Sequence, residues 1–278
     1  MAEQRHLNWR RLGRLAGVGY LVWCGLLFFL QDLLVFPTHL LPKATPRPAD
    51  PRVRVWQLPV GDGAVVAWFA PHPTASATAP KPAVVFCHGN GEVIANLGHV
   101  VAAWHELGCS VLLPEYRGYG GCAGRPSERA LIADARGFVA LLARQPEVDP
   151  RRIVYHGRSL GGGVATGLAE VAPPAALILV STFDNLSSLA PSYGVPPLLV
   201  RNPFRTDRRL PRLACPALLI HGTHDRLVPV AKGRRLHALV PTSQWLELPA
   251  GHNDLPRPEQ RELFWGTVRE FLDAASGR

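Results

Sequence analysis

The stretch that most narrows what this chain can fold into runs from Ile153 to Val171. Ile153 to His156 is a β-branched and aromatic run that reads as a buried strand, and Val164 to Val171 reads as helix. Between them stands Gly157-Arg158-Ser159-Leu160-Gly161. A strand that becomes a helix within G-x-S-x-G must turn so tightly that the serine takes a strained backbone angle. The flanking glycines keep side chains out of its way. Such a turn lifts the hydroxyl above the end of a sheet, at a helix N-terminus whose dipole favours a developing negative charge. This is the layout of a nucleophile elbow. The five-letter pattern is weak by itself in a chain with 26 glycines, so its weight depends on the rest of the sequence.

The rest alternates strand and helix. Ala83-Val-Val-Phe-Cys87 is fully apolar, as a central parallel strand should be, and ends in His88-Gly89-Asn90-Gly91-Glu92. A helix is expected over Ile94–Leu107, a strand over Ser110–Pro114, and a helix from a Ser127 cap to about Arg144. Leu177–Ser181, Ala217–His221 and Gln244–Leu248 read as strands, Pro229–Leu239 as a helix. Pro258–Ala275 reads as a closing helix with Leu263, Phe264, Val268, Phe271 and Leu272 on one face. Upstream, Val53–Leu58 and Ala64–Ala70 flank Gly61-Asp62-Gly63 as an antiparallel hairpin at the sheet edge. The fold class is therefore α/β, a mostly parallel central sheet with helices on both faces, and 278 residues suffice for one such domain. Residues 182–212 are rich in proline and arginine (Arg201, Arg205, Arg208, Arg209, Arg212) and are the expected place of a small lid over the strand ends.

The N-terminus is different. Arg5, Arg10, Arg11 and Arg14 precede Leu15 to Leu30, which carries no charge; Gln31 and Asp32 interrupt before Leu33 to Phe36 resumes. The run is long enough to span a bilayer, and the arginines put its N-terminus on the cytoplasmic side and the rest on the far side. A cleaved signal peptide is the rival, although no small-x-small site follows closely; an amphipathic helix packed on the domain is another. The expected organisation is a membrane anchor over 1–36, a proline-rich linker over 37–52 and the catalytic domain over 53–278. The anchor is expected to contribute little to catalysis, with Asp32 reaching headgroups and water.

Net charge is +9 with a pI near 9.9. A nucleic-acid partner is not expected, because no such motif is present and the arginines are scattered. An anionic membrane surface or acidic substrate suits the charge better. The five cysteines form no C-x-x-C and are odd in number, so neither a zinc site nor a disulfide framework is indicated. No metal or organic cofactor is expected.

Ligands of a parallel sheet sit at the carboxyl ends of its strands. Ser159, Asp225 and His252 lie at such ends, in the chain order of a Ser–Asp–His triad. Ser159 would attack a carbonyl, His252 would take its proton, and Asp225 would fix the imidazole tautomer. Asp184, after the strand that follows the elbow, is the alternative acid. Asp225 could instead cap the Pro229 helix, His88 could brace its loop, and Asp254 could cap the last helix. The backbone N–H groups of Leu160 and Asn90 are the expected oxyanion hole.

From about Ala83 to Asp254 the chain resembles the α/β-hydrolase superfamily, and within it the single-pass membrane-anchored abhydrolase-domain serine hydrolases and their bacterial relatives. The stretches that carry the likeness are HGNGE (88–92), YRGYGGCAGRPSE (116–128), GRSLGGG (157–163), NPF (202–204), HGTHDRLVP (221–229) and GHNDL (251–255). Val35-Phe36-Pro37 after the apolar segment is similar too. The resemblance implies removal of acyl groups from esters or thioesters, lipids included, with a peptidase using the same triad as the alternative. A catalytically silent binding protein on the same scaffold is the rival from another class. Cys122 and Glu115 depart from the usual serine and aspartate, outside the triad. Oligomeric state is not readable from the sequence.

Overall fold

A computed structural model describes residues 9–277 of the chain. Its centre is an eight-stranded sheet. The strands are β1 (Arg54–Val60), β2 (Gly63–Ala70), β3 (Lys81–Cys87), β4 (Ser110–Pro114), β5 (Val148–Arg158), β6 (Ala176–Val180), β7 (Ala217–Gly222) and β8 (Gln244–Leu248). Their order is β1-β2-β4-β3-β5-β6-β7-β8. The hairpin β1–β2 is antiparallel and joins β4 antiparallel; every pairing from β4 to β8 is parallel. The helices are α1 (Trp9–Val35), α2 (Gly98–Glu106), α3 (Glu128–Leu142), α4 (Leu160–Val171), α5 (Thr206–Arg209), α6 (Val230–Leu239) and α7 (Arg261–Ala275).

The apolar runs β4, β6 and β7 are buried throughout because helices cover both faces of the sheet. On one face Leu131, Phe138 and Leu142 of α3 and Val164 and Leu168 of α4 form the core with Val85 and Leu112. On the other, Trp104 of α2 and Phe264, Val268 and Phe271 of α7 pack on Val84, Val111 and Ile178. The expected helix at Ile94 opens instead as a 3-10 turn over Ile94–Asn96, and α2 starts only at Gly98. The Ile94 N–H is held by Glu115 Oε2 at 3.0 Å, which fixes the start of this turn away from an α-helical path. The elbow strand begins before Ile153, at the buried Val148, which pairs with Lys81 ahead of a register shift that carries the pairing on to Ala83 and Ile153.

His156, inside β5, is buried and meets Phe86 edge-on at 4.8 Å and Trp104 at 5.7 Å between ring centroids. Its Nδ1 has no partner. Burial, helped by the Arg158 charge, pushes its pKa down to about 3. The unfolded chain takes up this proton near 6.5, so between about pH 6.5 and 3 the unfolded state binds more protons and stability falls with pH. The cost at pH 4 is on the order of 3 kcal/mol. His156→Phe keeps the ring packing and removes the proton site. Its thermal midpoint should therefore drop less between pH 7 and pH 4 than that of the wild type; parallel curves would refute this.

The last turns of α1 dock on the segment expected as a lid, which folds as short turns (Leu186–Ser188, Ala190–Tyr193, Pro197–Leu199) and α5. Trp23 Nε1 donates to Tyr193 O at 3.0 Å, Gln31 Nε2 to Leu199 O at 3.0 Å, and the Arg201 N–H to Gln31 Oε1 at 2.8 Å. Asp32 pairs with Arg201 at 2.7 Å and accepts from Asn202 Nδ2 at 3.3 Å. Asp32 thus faces protein partners, where headgroups and water were expected. Phe36 is 1% exposed and meets Phe204 edge-on. The NPF stretch ties these parts together: Asn202 Oδ1 accepts from the Glu128 N–H at the start of α3, and Phe204 is buried beneath Gly163 of α4. By contrast Leu15, Leu21 and Phe29 on the outer side of α1 are 63%, 70% and 76% exposed.

Candidate active site

The turn from β5 into α4 carries the strain its sequence requires. Ser159 has φ 53° and ψ −118°, in the left-handed half of backbone space, at a cost of roughly 1–3 kcal/mol. A Cβ on Gly161 would lie 1.9 Å from Cys87 O, and one on Gly157 would lie 2.4 Å from Gly161 O, so neither position accepts a side chain. The strained residue is pinned from both ends. Its N–H donates to Val180 O and its carbonyl accepts from Thr182 Oγ1, each at 2.9 Å.

The loops after β5, β7 and β8 bring Ser159, Asp225 and His252 together. His252 Nε2 stands 2.9 Å from Ser159 Oγ, and Nδ1 stands 2.7 Å from Asp225 Oδ2. A carboxylate only accepts, so the Nδ1 proton points at Asp225 and Nε2 is left to accept from the serine hydroxyl. Asp225 divides its work between its oxygens. Oδ1 accepts from the Leu227 and Val228 N–H groups at 2.9 and 2.7 Å, while Oδ2 holds His252. Those N–H groups precede α6, whose N-cap residue Pro229 makes no side-chain cap, so Asp225 braces the turn before the helix and does not cap it. Burial alone would raise the Asp225 carboxyl, but hydrogen bonds from His221, His252 and Val228 outweigh it and hold it far below the usual carboxylate range.

Asp184, the alternative acid, makes no contact with His252. Its Oδ1 accepts from Ser188 Oγ at 2.6 Å and its Oδ2 from Arg235 at 3.1 Å, with Lys232 at 3.5 Å. It is a buried brace between β6 and α6. Asp254 holds the Gly251 N–H at 2.6 Å and Arg257 at 2.7 Å, steadying the histidine loop; it does not cap the last helix, before which Gln260 Oε1 accepts from the Arg257 N–H at 3.1 Å.

Asn90 and Leu160 lie on either side of Ser159 in the wall of one cavity. The Asn90 loop is built on buried polar contacts. His88 Nδ1 donates to Gly89 O at 2.8 Å and Nε2 meets Glu115 Oε1 at 2.9 Å, with Tyr116 stacked on the ring and its hydroxyl donating to His88 O. Burial alone would lower the His88 pKa, but the Glu115 charge and hydrogen bond outweigh it and the net shift is upward. Glu92 accepts from the Gly89 N–H at 2.6 Å and pairs with Arg158. Arg158 also donates to His252 O at 3.2 Å and Asn253 Oδ1 at 3.3 Å. One ion pair therefore ties the Asn90 loop, the elbow and the His252 loop together. The sequence reading passed over Arg158 as the x of G-x-S-x-G.

The cavity beside Ser159 has a volume of about 350 Å³. Its walls include Leu160, Phe183, Leu189 and Val228, and also Leu27, Phe28, Gln31, Leu34 and Val35 of α1. Residues 1–36 are expected from the sequence to contribute little to catalysis; the end of α1 nevertheless forms part of the cavity wall. Among the arginines of 182–212, Arg201 is engaged by Asp32, and Arg209 by Glu128 and Glu170 at 2.6 and 3.1 Å. That basic cluster is in part internal structure.

The model of the family described as serine aminopeptidase, S33, matches residues 78–199. An uncharacterized protein of Mycobacterium tuberculosis, Rv2307c, is 37% identical, over 91% of this chain and 92% of its own length. The lysophosphatidylserine lipase ABHD12 of Danio rerio is 31% identical over 59% of this chain; the matched part spans about half of that protein (49%). Among solved structures, the Pyrococcus furiosus esterase PF2001 superposes with a TM-score of 0.66 at 20% identity, covering 84% of this chain and 97% of its own. A Mycobacterium tuberculosis puromycin-hydrolyzing peptidase superposes with a TM-score of 0.67 at 22% identity, covering 81% of this chain but only 39% of its own. The two structures share the fold, and the family match over residues 78–199 includes the elbow at Ser159. On these grounds the chain belongs to the α/β-hydrolase superfamily, among its serine hydrolases.

Proposed function

We propose that the protein cleaves carboxylic ester or thioester bonds through an acyl-enzyme on Ser159. The observation that carries this reading is the unbroken chain of hydrogen bonds from Ser159 Oγ through His252 to Asp225. Ser159 Oγ attacks the acyl carbon as its proton passes to His252 Nε2. The oxyanion of the tetrahedral intermediate is held by the N–H groups of Leu160, at the start of α4, and of Asn90, in the loop after β3. The bond to the leaving oxygen or sulfur then breaks, and His252 returns the proton to it. Water repeats the sequence on the acyl-enzyme, releasing the carboxylic acid and restoring Ser159. Asp225 keeps the Nδ1 proton in place and stabilises the imidazolium at each step. These steps need no metal or organic cofactor.

Aminopeptidase activity is the second reading, favoured by the family description and the peptidase fold neighbours. An aminopeptidase must hold an ammonium group near the scissile bond. Among the described residues lining the cavity there is no carboxylate, and the walls are mainly aliphatic and aromatic. An apolar acyl group suits this site better. The lipase among the relatives supports a lipid-like ester.

The reading extends to a membrane-resident enzyme, with residues 182–212 as the lid. α1 is 27 residues long with a mean hydropathy of 1.9 over its most apolar window. Its exposed leucines and phenylalanines would each cost about 1.5–3 kcal/mol if kept in water. Arg10, Arg11 and Arg14 at its start favour a cytoplasmic N-terminus; Arg5 lies outside the described residues. Cleavage after this helix, as a signal peptide requires, would remove a wall of the cavity, which favours an anchor.

Activity-based labelling with a fluorophosphonate, followed by parallel turnover of p-nitrophenyl esters, acyl thioesters and aminoacyl anilides, tests the assignment. Labelling at Ser159 with turnover confined to acyl substrates is the expected result. Release of amino acids with no acyl-ester turnover would establish the peptidase.

A further inference from the structure

The side chains that α1 lends to the cavity form one face. Leu27 and Leu34, and Phe28 and Val35, are seven residues apart, and Gln31 falls between them on the same side of the helix. Gln31 is the polar member of this face, and its amide is already committed. Nε2 donates to Phe28 O and Leu199 O, and Oε1 accepts from the Arg201 N–H. What α1 offers the cavity is therefore an apolar wall. Opposite stand Leu186, Leu189 and Val195 of the turns that follow β6. The polar end of the space is where Ser159, Leu160 and Asn90 meet. The cavity also has an apolar, open side: of its lining residues, Leu34, Tyr193 and Leu227 are 62%, 63% and 59% exposed.

We propose that the C-terminal end of α1 is one wall of an acyl-chain subsite, and that the side chains at 27 and 28 set the length of aliphatic chain the enzyme accepts. The inference rests on the reading of Ser159 as the nucleophile for its kinetic consequence, but not for binding of the chain itself. With the acyl carbon at Ser159, the tail runs between α1 and the 186–200 turns toward the open side at Leu34, Tyr193 and Leu227. A volume of about 350 Å³ lies at the low end of the roughly 300–1,000 Å³ of small-molecule sites, which fits one aliphatic chain. About 20 helical residues cross the hydrocarbon of a bilayer. Counted from Leu15, the first residue of the uncharged run after Arg10, Arg11 and Arg14, α1 leaves it near Leu34, so the face from Leu27 to Leu34 stands in the outer half of the span, among the acyl chains of an amphiphile in the same leaflet. The ligand class is the aliphatic acyl chain of such an amphiphile.

The test uses the full-length chain in dodecyl maltoside micelles, as wild type, Leu27→Trp, Phe28→Ala and Leu26→Trp. Leu26 neighbours Leu27 in sequence but does not line the cavity and is half exposed, so it controls for bulk added to the helix. Rates on butyryl, octanoyl, dodecanoyl and palmitoyl p-nitrophenyl esters give a chain-length profile. In parallel, a fluorescent twelve-carbon fatty acid is titrated into each variant made in a Ser159→Ala background, which reads the subsite without catalysis. Leu27→Trp should lower the dodecanoyl-to-butyryl ratio of kcat/KM about tenfold or more, the effect of one displaced apolar contact, and weaken fatty-acid binding by a similar factor. Phe28→Ala should move the preferred chain length upward, and Leu26→Trp should reproduce the wild type in both measurements. Unchanged binding in Leu27→Trp, or an equal loss in Leu26→Trp, overturns the subsite. Fatty-acid binding that is lost only in Leu27→Trp, in a protein that turns over no ester, upholds the subsite and overturns the reading of Ser159.

Discussion

Ser159→Ala will retain the fold and thermal midpoint of the wild type while losing covalent fluorophosphonate labelling and all but a small residue of ester turnover. The hydroxyl's own contact is to His252 Nε2, so its removal breaks no structural bond, whereas the backbone bonds to Val180 and Thr182 survive in alanine. Alanine relieves none of the positive-φ strain, so any change in midpoint should be small. In triads that act as a unit, loss of the nucleophile costs on the order of a millionfold in kcat, and loss of the acid on the order of ten-thousandfold. Asp225→Asn should follow the latter figure for a reason visible here. An amide can keep its oxygen on the Leu227 and Val228 N–H groups, but it then presents an N–H to His252 Nδ1 and favours the wrong imidazole tautomer. Labelling of Ser159→Ala at wild-type stoichiometry would remove Ser159 from the mechanism. Full activity in Asp225→Asn would send the search for the acid elsewhere, although Asp184 has no path to the imidazole.

The second large effect concerns α1. A chain beginning at Thr38 should express as an unstable, poorly active protein, and not as a soluble enzyme with unaltered rate. Phe36 is fully buried in the core beside Phe204, and replacing such a phenylalanine by alanine costs about 3–5 kcal/mol. Loss of residues 9–37 also removes Gln31 and Asp32 from the 199–202 backbone and side chains, and opens the cavity along the line of Leu27 to Val35. Phe36→Ala separates the contributions: it should lower the thermal midpoint by several degrees while leaving the α1 side of the cavity in place. Turnover of dodecanoyl esters by the shortened chain should fall about tenfold or more relative to Phe36→Ala, the worth of at least one apolar contact. If the shortened chain melts with the full-length domain and hydrolyses long-chain esters equally well, α1 serves only as a tether.

Much of the site was legible because the chemistry constrains short stretches. Ser159 follows β5 directly, and Asp225 and His252 lie three and four residues past the ends of β7 (Gly222) and β8 (Leu248), so knowing the strand places the residue near the sheet's carboxyl edge. The alternation of strands and helices is likewise written in runs such as Ala83–Cys87 and Leu177–Val180, buried on both faces. What escaped the sequence depends on contacts between parts far apart in the chain. Asp32 and Gln31 read as an interruption near the end of an apolar helix, and nothing local says that their partners are residues 199–202. The more informative signal was that two polar side chains sat side by side at helical positions adjoining Phe28 and Val35, which asks for a protein surface to receive them. Arg158 was hidden for the same reason: its partners, Glu92 and His252 O, come from loops 66 and 94 residues away. Helix boundaries failed where a side chain from elsewhere, as Glu115 at Ile94, replaced the local rule.

The docking of α1 on the 186–202 turns also sets an order of events during synthesis. The wall formed by Leu27 to Val35 leaves the ribosome first, and in the proposed topology it is in the bilayer before any strand of the sheet exists. The nucleophile, its acid and its base arrive later and from successively more C-terminal segments, with His252 last. A nascent chain thus holds an exposed apolar helix end with no partner until the 186–202 turns fold against it. Premature release from the membrane, or proteolysis in the 37–52 stretch, separates the wall from the nucleophile for good. On the proposed reading, the covalent link between α1 and the domain would act as a form of quality control, with hydrolysis of long-chain substrates confined to molecules that have completed both insertion and folding.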